Sequence, residues 1–383
     1  MRSTCVCILM AVLAVSPRAS EALASPDQSP VGAPVLAIKV RENRLINAEG
    51  ATLQLRGVNI SGLESVAIQG WSAKDPWGGT KPDWSELLAW KVNVVRLPMN
   101  EASWLGYSCI DDKDKSRDPD PGKNYRAAVI QTVAEANAVG IFVILDLQWS
   151  APGNFCPLGQ NPMADADHSV EFWTSVAKTF KDNPAVLFDL FNEPFLPASA
   201  LGWDTWLNGG GQTNLYSPTK KSYTWRAAGV QSMIAAVRGT GAANVVLIGG
   251  VGYSNDLTGW SAHTPVDPLN QLAASWHVYS DNGYVDVAAG GTTQVMLATV
   301  AASVPLIIAE VGDKNGPGTT GSFAASILRF ADSKGYSYLA WTWNHWGQPA
   351  NNLTLDAAGT PTLGFGIYFK QHLACRASGA NCR

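Results

Sequence analysis

The chain has 383 residues, a formal net charge of −4, and 46% hydrophobic against 15% charged residues. That balance buries a sizeable core and excludes a disordered chain, and the length fits one large α/β domain or two ordinary ones. The acidic balance argues against nucleic acid as a partner, because phosphate binding needs a basic face.

In chain order, Arg2 precedes an apolar run over residues 5–15, too short to span a bilayer, and Ala22-Leu23-Ala24 offers a small-residue cleavage site. The pattern predicts a signal peptide over 1–24 and a secreted chain, extracellular or periplasmic, with no membrane contact once the signal is gone. Residues 25–35 are rich in Pro, Ser and Ala and read as a flexible lead-in to a single domain over 36–383. Loss of the signal removes Cys5 and Cys7 and leaves Cys109, Cys156, Cys375 and Cys382. An even count in a secreted chain suggests disulfides. With no C-x-x-C pair, no metal site is expected.

"LAIKVRENRLINAEGATLQLRGVNI" alternates and predicts a hairpin turning at "AEG" before a strand. Apolar strands then alternate with helical stretches. The strands fall at roughly 53–59, 92–98, 141–147, 186–192, 244–250, 272–279, 305–311 and 336–343. Between them, "YRAAVIQTVAEANAVG" and "VEFWTSVAKTFKDNP" carry helical patterns and end on stop signals. Eight near-continuous apolar strands with intervening helices predict a (β/α)8 TIM barrel with a short N-terminal β-hairpin. The rival, an open doubly wound sheet, lacks its cofactor fingerprint: "GGVGYSN" does not complete G-x-G-x-x-G. No cofactor is expected.

In such a barrel the chemistry lies at the C-terminal strand ends. Those ends carry Asn59, Arg96, Asp146 and Gln148, then Asn192 and Glu193, then His277 and Tyr279, then Glu310, and finally Trp341, Trp343 and Trp346. A lone strand-end glutamate is more often a surface residue or an ion-pair member. Glu193 and Glu310 each follow an apolar run and face one barrel mouth, and two carboxylates flanking a bond are the equipment of glycoside hydrolysis. The stretch Phe195–Thr224, with Trp203 and Trp206, is long enough for a functional loop and reads as one wall of a cleft.

"RGVN", "VVRLP", "LFNEP", "HVY", "IIAEVG" and "WTWN", in that order, resemble glycoside hydrolase family 5, the cellulase-type retaining glycosidases, from about residue 36 to the end. The resemblance implies a secreted endo-β-glucanase acting on β-1,4-glucan by a two-glutamate double displacement. It implies Glu193 as general acid/base and Glu310 as nucleophile. Asn192 would bind the sugar 2-hydroxyl, and Arg96 would sit beneath Glu310 and help keep it ionised. Tyr279 would position Glu310, His277 would orient the acid/base or the sugar, and Trp343 would be the sugar platform, with Trp341 in the core. Arg96 and hydroxyl donors are expected to lower the pKa of Glu310; a nearby charge and partial desolvation are expected to raise that of Glu193. The sequence departs from the pattern at Gln148, where the family has histidine; an amide keeps the hydrogen bond to a sugar but carries no charge.

Two alternatives stay open: a β-mannanase or other β-glycanase on the same pair, and a non-hydrolytic carbohydrate-binding protein. The expected partner is a polysaccharide, bound by a monomer. Cys109 and Cys156 follow neighbouring strands, so their loops are expected to meet in a disulfide, and Cys375 is expected to pair with Cys382.

Overall fold

The computed structural model describes residues 36–70, 75–106, 123–214, 224–281, 285–345, 351–380 and 382. The described residues begin with an antiparallel hairpin of β1 (Ile38–Arg41) and β2 (Arg44–Asn47). It turns at Glu42–Asn43, not at Ala48-Glu49-Gly50. Arg41 pairs with Arg44, which leaves only two turn residues, and Glu42 takes φ 57°. "AEG" makes the next turn, after which Thr52 bridges back to Ile46.

Four strands follow: β3 (Arg56–Asn59), β4 (Val94–Asn100), β5 (Phe142–Trp149) and β6 (Val186–Asp189). An antiparallel ribbon of β7 (Gly209–Asn214) and β8 (Thr224–Ala228) lies outside the barrel sheet. Then come β9 (Val246–Gly249), β10 (Leu272–Tyr279), β11 (Leu306–Gly312) and β12 (Ser337–Ala340). β3–β6 and β9–β12 form a closed parallel barrel in chain order, with β12 paired back onto β3. Helices such as Lys123–Ala138, Ser169–Phe180, Val230–Gly239 and Ser322–Lys334 fall between successive strands. This is the (β/α)8 architecture the apolar runs predict.

The barrel has two cores because its strands are covered on both faces. Ile144, Leu187, Leu247, Ile307 and Leu339 form one apolar cluster together with the hairpin residues Ile38, Val40 and Leu45. A larger cluster joins strand residues such as Val95, Val143 and Phe188 to helix residues such as Phe172, Trp173 and Leu328. Gly57 lets β3 approach β4: a Cβ there would stand 1.8 Å from the Val94 carbonyl oxygen. At the C-terminal ends the pairing slips, between Met99 and Asn100 against β5 and between Trp276 and His277 against β11. Bulges there re-aim the side chains of Gln148 and Glu310, as bulges near functional sites often do.

Cys375 and Cys382 form a disulfide with Cα atoms 5.8 Å apart, closing the end of the last helix, Phe365–Ala377. Cys156 is disulfide-bonded; its expected partner Cys109 lies outside the described residues, as does Trp346. No helix of the described residues is long and apolar enough to cross a membrane.

Candidate active site

Arg96, on β4, is fully buried. Its guanidinium donates to Glu310 Oε1 (2.8 Å), Asp189 Oδ2 (3.0 Å), Asn59 Oδ1 (3.0 Å) and Asn192 Oδ1 (3.0 Å). Asp146 Oδ1 is 2.9 Å from Nη2, close enough for an ion pair but not aligned for a hydrogen bond. Burial alone would lower the Arg96 pKa; the charges of Asp146, Asp189 and Glu310 reverse that and raise it. One cation cannot hold three ionised carboxylates in a medium of low polarity. Burial, with Asp189, Glu310 and Glu64 adding to it, holds Asp146 well above the usual carboxylate range despite Arg96. Arg96 therefore touches Glu310, as expected, and is also the centre of a buried ion-pair cluster with Asp146 and Asp189.

Glu310 is 2% exposed. Besides Arg96, the Tyr279 hydroxyl donates to its Oε2, and His277 Nδ1 lies 3.5 Å from that oxygen. Tyr279 can lie across β11 because the residue beside it is Gly312, where a Cβ would sit 2.2 Å from the ring. Glu193, at the end of the segment after β6, has a side chain 14% exposed and fewer donors. Gln160 Nε2 donates to its Oε2 at 2.6 Å, and His277 Nδ1 lies 3.0 Å from its Oε1. Burial pushes the Glu193 carboxyl up, against the lowering from Gln160 and Arg96. Burial also pushes Glu310 up; His277, Arg96 and Tyr279 lower it and Glu193 raises it. Arg96 thus acts on Glu310 in the expected direction, but the expected net lowering is overturned, because desolvation outweighs it.

His277 is pushed down to about 4, by burial first and by Arg96, so near neutral pH its ring is uncharged. Its single N–H belongs on Nδ1, the nitrogen that faces both glutamates, while Nε2 is buried without a partner among the described residues.

The glutamates open into a cleft of 440 Å³ lined also by Gln148, Gln160, Asn192, Tyr253, Tyr279, Asp281, Trp341 and Asn351. Gln148 is nearly buried there, and its Oε1 has no partner among the described residues. Trp341 lines the cleft, whereas Trp343 is buried edge-on against Trp90, with ring centroids 4.8 Å apart. The expected placements of the two are exchanged: β12 ends at Ala340, so strand alternation does not extend through 341–343. Trp203 and Trp206 are likewise core, packed on each other and, through Trp206, on Trp260; the expected cleft wall is not built from them. Sequence reasoning missed Asp189, Gln160 and Tyr253. Asp189 sits three residues before Asn192 on the barrel interior and could be found from the strand pattern, but Gln160 and Tyr253 lie in loops without a signal.

Donor atoms of Glu193, His277 and Glu310 lie within 4.8 Å of one another, a spacing that could hold a metal. A cation there would compete with Arg96, already 2.8 Å from Glu310, and with Gln160 on Glu193. The donor set fits a hydrogen-bonded carboxylate pair better.

A family model described as cellulase (glycosyl hydrolase family 5) matches residues 46–347. The major extracellular endoglucanase of Xanthomonas campestris pv. campestris is 24% identical over 334 residues, covering 81% of this chain and 66% of that protein. A mannan endo-1,4-β-mannosidase of Streptomyces lividans is 22% identical over 331 residues, covering 84% of this chain and 70% of that protein. The chain spans between half and two thirds of the length of the first endoglucanases it matches. Among solved structures, a β-glucanase from Saccharophagus degradans superposes with a TM-score of 0.63 at 22% identity, covering 92% of this chain and 97% of that one, a likeness of fold. On the family match, which spans most of the barrel, the chain belongs to the cellulase family, glycosyl hydrolase family 5.

Proposed function

We propose that the protein is a secreted endo-acting β-glycanase that cleaves β-1,4-glucosidic bonds of cellulose-type chains with retention of configuration. The observation that carries the mechanism is the pairing of Glu193 with Glu310, whose oxygens come within 4.8 Å across His277. Retaining enzymes hold their carboxyl groups about 5–5.5 Å apart, and inverting ones about 6.5–9.5 Å, to admit a water. The unequal surroundings support the division of labour. Glu310 faces a fixed cation and a phenol, so charge settles there and it attacks the anomeric carbon. Glu193, with burial raising its pKa and no cation in contact, protonates the leaving oxygen. It then takes a proton from the water that releases the sugar. His277 stays neutral and donates to Glu193, with Glu310 beside the same nitrogen. Gln148 offers its unpartnered Oε1 to a sugar hydroxyl, and Trp341 offers an apolar face to the ring.

Residues 1–24 would be the signal, 25–35 a lead-in and 36–383 the catalytic domain. Secretion is supported by the apolar N-terminal run and by a relative named as extracellular. The similarity to a mannosidase keeps mannan as the second reading. Reducing-sugar release from soluble cellulose, mixed-linkage glucan and mannan, measured in parallel, decides between them: glucan should be cleaved faster. No release from any of the three would leave a carbohydrate-binding protein.

A further inference from the structure

Three buried polar atoms on one side of the barrel interior have no hydrogen-bond partner among the described residues: Asp189 Oδ1 on β6, and Ser275 Oγ and His277 Nε2 on β10. Side chains inside such a barrel stack in layers of four, one from every second strand. By the strand registers, Asp189 and Ser275 share a layer with Arg96 and Leu339. His277 follows Ser275 by two residues, so it stands above it on the same face of β10. Buried polar atoms are nearly always bonded, and three orphans in one place call for a common explanation. The neighbours offer them nothing. Arg96 has no nitrogen to spare for Asp189 Oδ1: Nε is spent on Oδ2, Nη1 on Asn59 and Glu310, and Nη2 on Asn192 and Asp146. The intervening strand, β9, brings Gly249 to this level. The space beside it is filled by Ser254, whose hydroxyl donates to the Asn192 carbonyl, and the Gly249 carbonyl already accepts from Trp206.

The needs of the three atoms are complementary. His277 carries its one N–H on Nδ1, so Nε2 accepts; the Asp189 carboxylate oxygen accepts; the Ser275 hydroxyl donates. One water satisfies all of them, giving its two hydrogens to Nε2 and Oδ1 and accepting from Ser275. Three bonds is the usual number for a buried water. We propose that Asp189 and Ser275 bind a structural water below His277 and, through it, act as positioning residues for that ring. The inference rests on the reading of Glu193 as acid/base, the residue His277 serves. Which imidazole nitrogen holds the proton is set by the bond the other one makes. A donor at Nε2 keeps the N–H on Nδ1, where it meets Glu193 Oε1 at 3.0 Å with Glu310 Oε2 3.5 Å away. Burial raises the Asp189 pKa while Arg96 and His277 lower it, so Asp189 and His277 stand within electrostatic reach of each other. The water thereby joins His277 to the Arg96 cluster. One buried network then orients both carboxylates, Glu310 through Arg96 and Glu193 through His277.

A crystal structure fine enough to show ordered water should place one within about 3.2 Å of Asp189 Oδ1, Ser275 Oγ and His277 Nε2. In solution, nitrogen NMR reads the ring directly. The Nε2 resonance of His277, identified by its loss in His277→Asn, should be that of an unprotonated nitrogen accepting a hydrogen bond. Ser275→Val puts a methyl group where the water sits. The Nε2 resonance should then move to that of a nitrogen accepting no bond. The Nδ1–H becomes a poorer donor to Glu193, so the alkaline limb of the pH profile should rise by about one unit, the size of one lost hydrogen bond to a charged group. Ser275→Thr, which keeps the hydroxyl, should leave both where they are in the parent. No water at the three atoms overturns the proposal. So does an Nε2 resonance unchanged in Ser275→Val, which would mark Ser275 as a packing residue. If Ser275→Val does not fold, the parent's water and Nε2 resonance decide. If the parent cleaves no β-glycan, the proposed function fails on its own, and the water and the resonance still decide this inference.

Discussion

The two sides of the barrel mouth hold the same functional group in different company. On the β11 side Glu310 is closed in by Arg96, Tyr279 and His277 and nearly sealed from solvent. On the β6 side Glu193 shares His277 but otherwise has, among the described residues, one neutral donor, Gln160, and keeps some exposure. Burial raises both pKa values. What separates the residues is which state the neighbours accommodate: a fixed cation and a phenol suit a permanent anion, whereas an amide can donate to a carboxylate or accept from a carboxylic acid. The proposed double displacement asks Glu193 to alternate between those states, and its neighbours permit it.

The largest expected effect breaks that comparison outright. Glu193→Gln should lower kcat on polymer by roughly 10²–10⁴-fold, the usual range for a general acid/base, with a smaller loss on an aryl glycoside whose leaving group needs no proton. Glu310→Gln should cost more, and equally on both substrates. Steady-state kinetics on the two substrates would read the difference, and equal losses from the two variants would erase the asymmetry.

Arg96 comes next. Arg96→Met leaves Asp146, Asp189 and Glu310 buried without their cation, and breaking such a pair costs about 3–5 kcal/mol. Denaturant titration should show that loss with little change in slope. A stability within 1 kcal/mol of the parent's, taken as roughly the value of an ordinary hydrogen bond, would mean the cluster is already neutral without Arg96.

Gln148 sharpens the picture of what the cleft binds. Its unpartnered oxygen predicts that Gln148→Ala lowers kcat/KM by the equivalent of about 1–3 kcal/mol on the best substrate. Gln148→His should keep most activity, and wild-type kinetics in Gln148→Ala would mean the side chain does not touch the sugar.

The smallest effect concerns Gln160. Its donor lowers the Glu193 pKa, so Gln160→Leu should raise it. With Glu193 as the proposed acid, activity follows its protonated form, and the alkaline limb of the pH profile should therefore move to higher pH while the acid limb stays in place. A shift to lower pH would show that Gln160 favours the protonated form instead.

Much of this was legible in the sequence, for physical reasons. Barrel strands buried on both faces read as apolar runs, so all eight were visible. A polar residue ending such a run must be paired or functional, which exposed Arg96, Glu193, His277, Tyr279 and Glu310. Legibility ended where the strands did. Trp341 and Trp343 exchanged places because alternation stops at Ala340. Trp203 and Trp206 read as a cleft wall because a long loop looks exposed, yet a short helix, Ala200–Asn208, folds both inward. Gln160 and Tyr253 reach the cleft through loop contacts distant in sequence, and no periodicity encodes those.

The most direct test of the asymmetry is azide rescue on a 2,4-dinitrophenyl β-cellobioside. If Glu310 is the nucleophile and Glu193 the acid/base, Glu193→Ala should be reactivated by azide to give the β-glycosyl azide, since azide then intercepts a glycosyl-enzyme. Glu310→Ala should give the α-azide by direct displacement. The opposite assignment of anomers, read by proton NMR, would exchange the two roles and contradict the account.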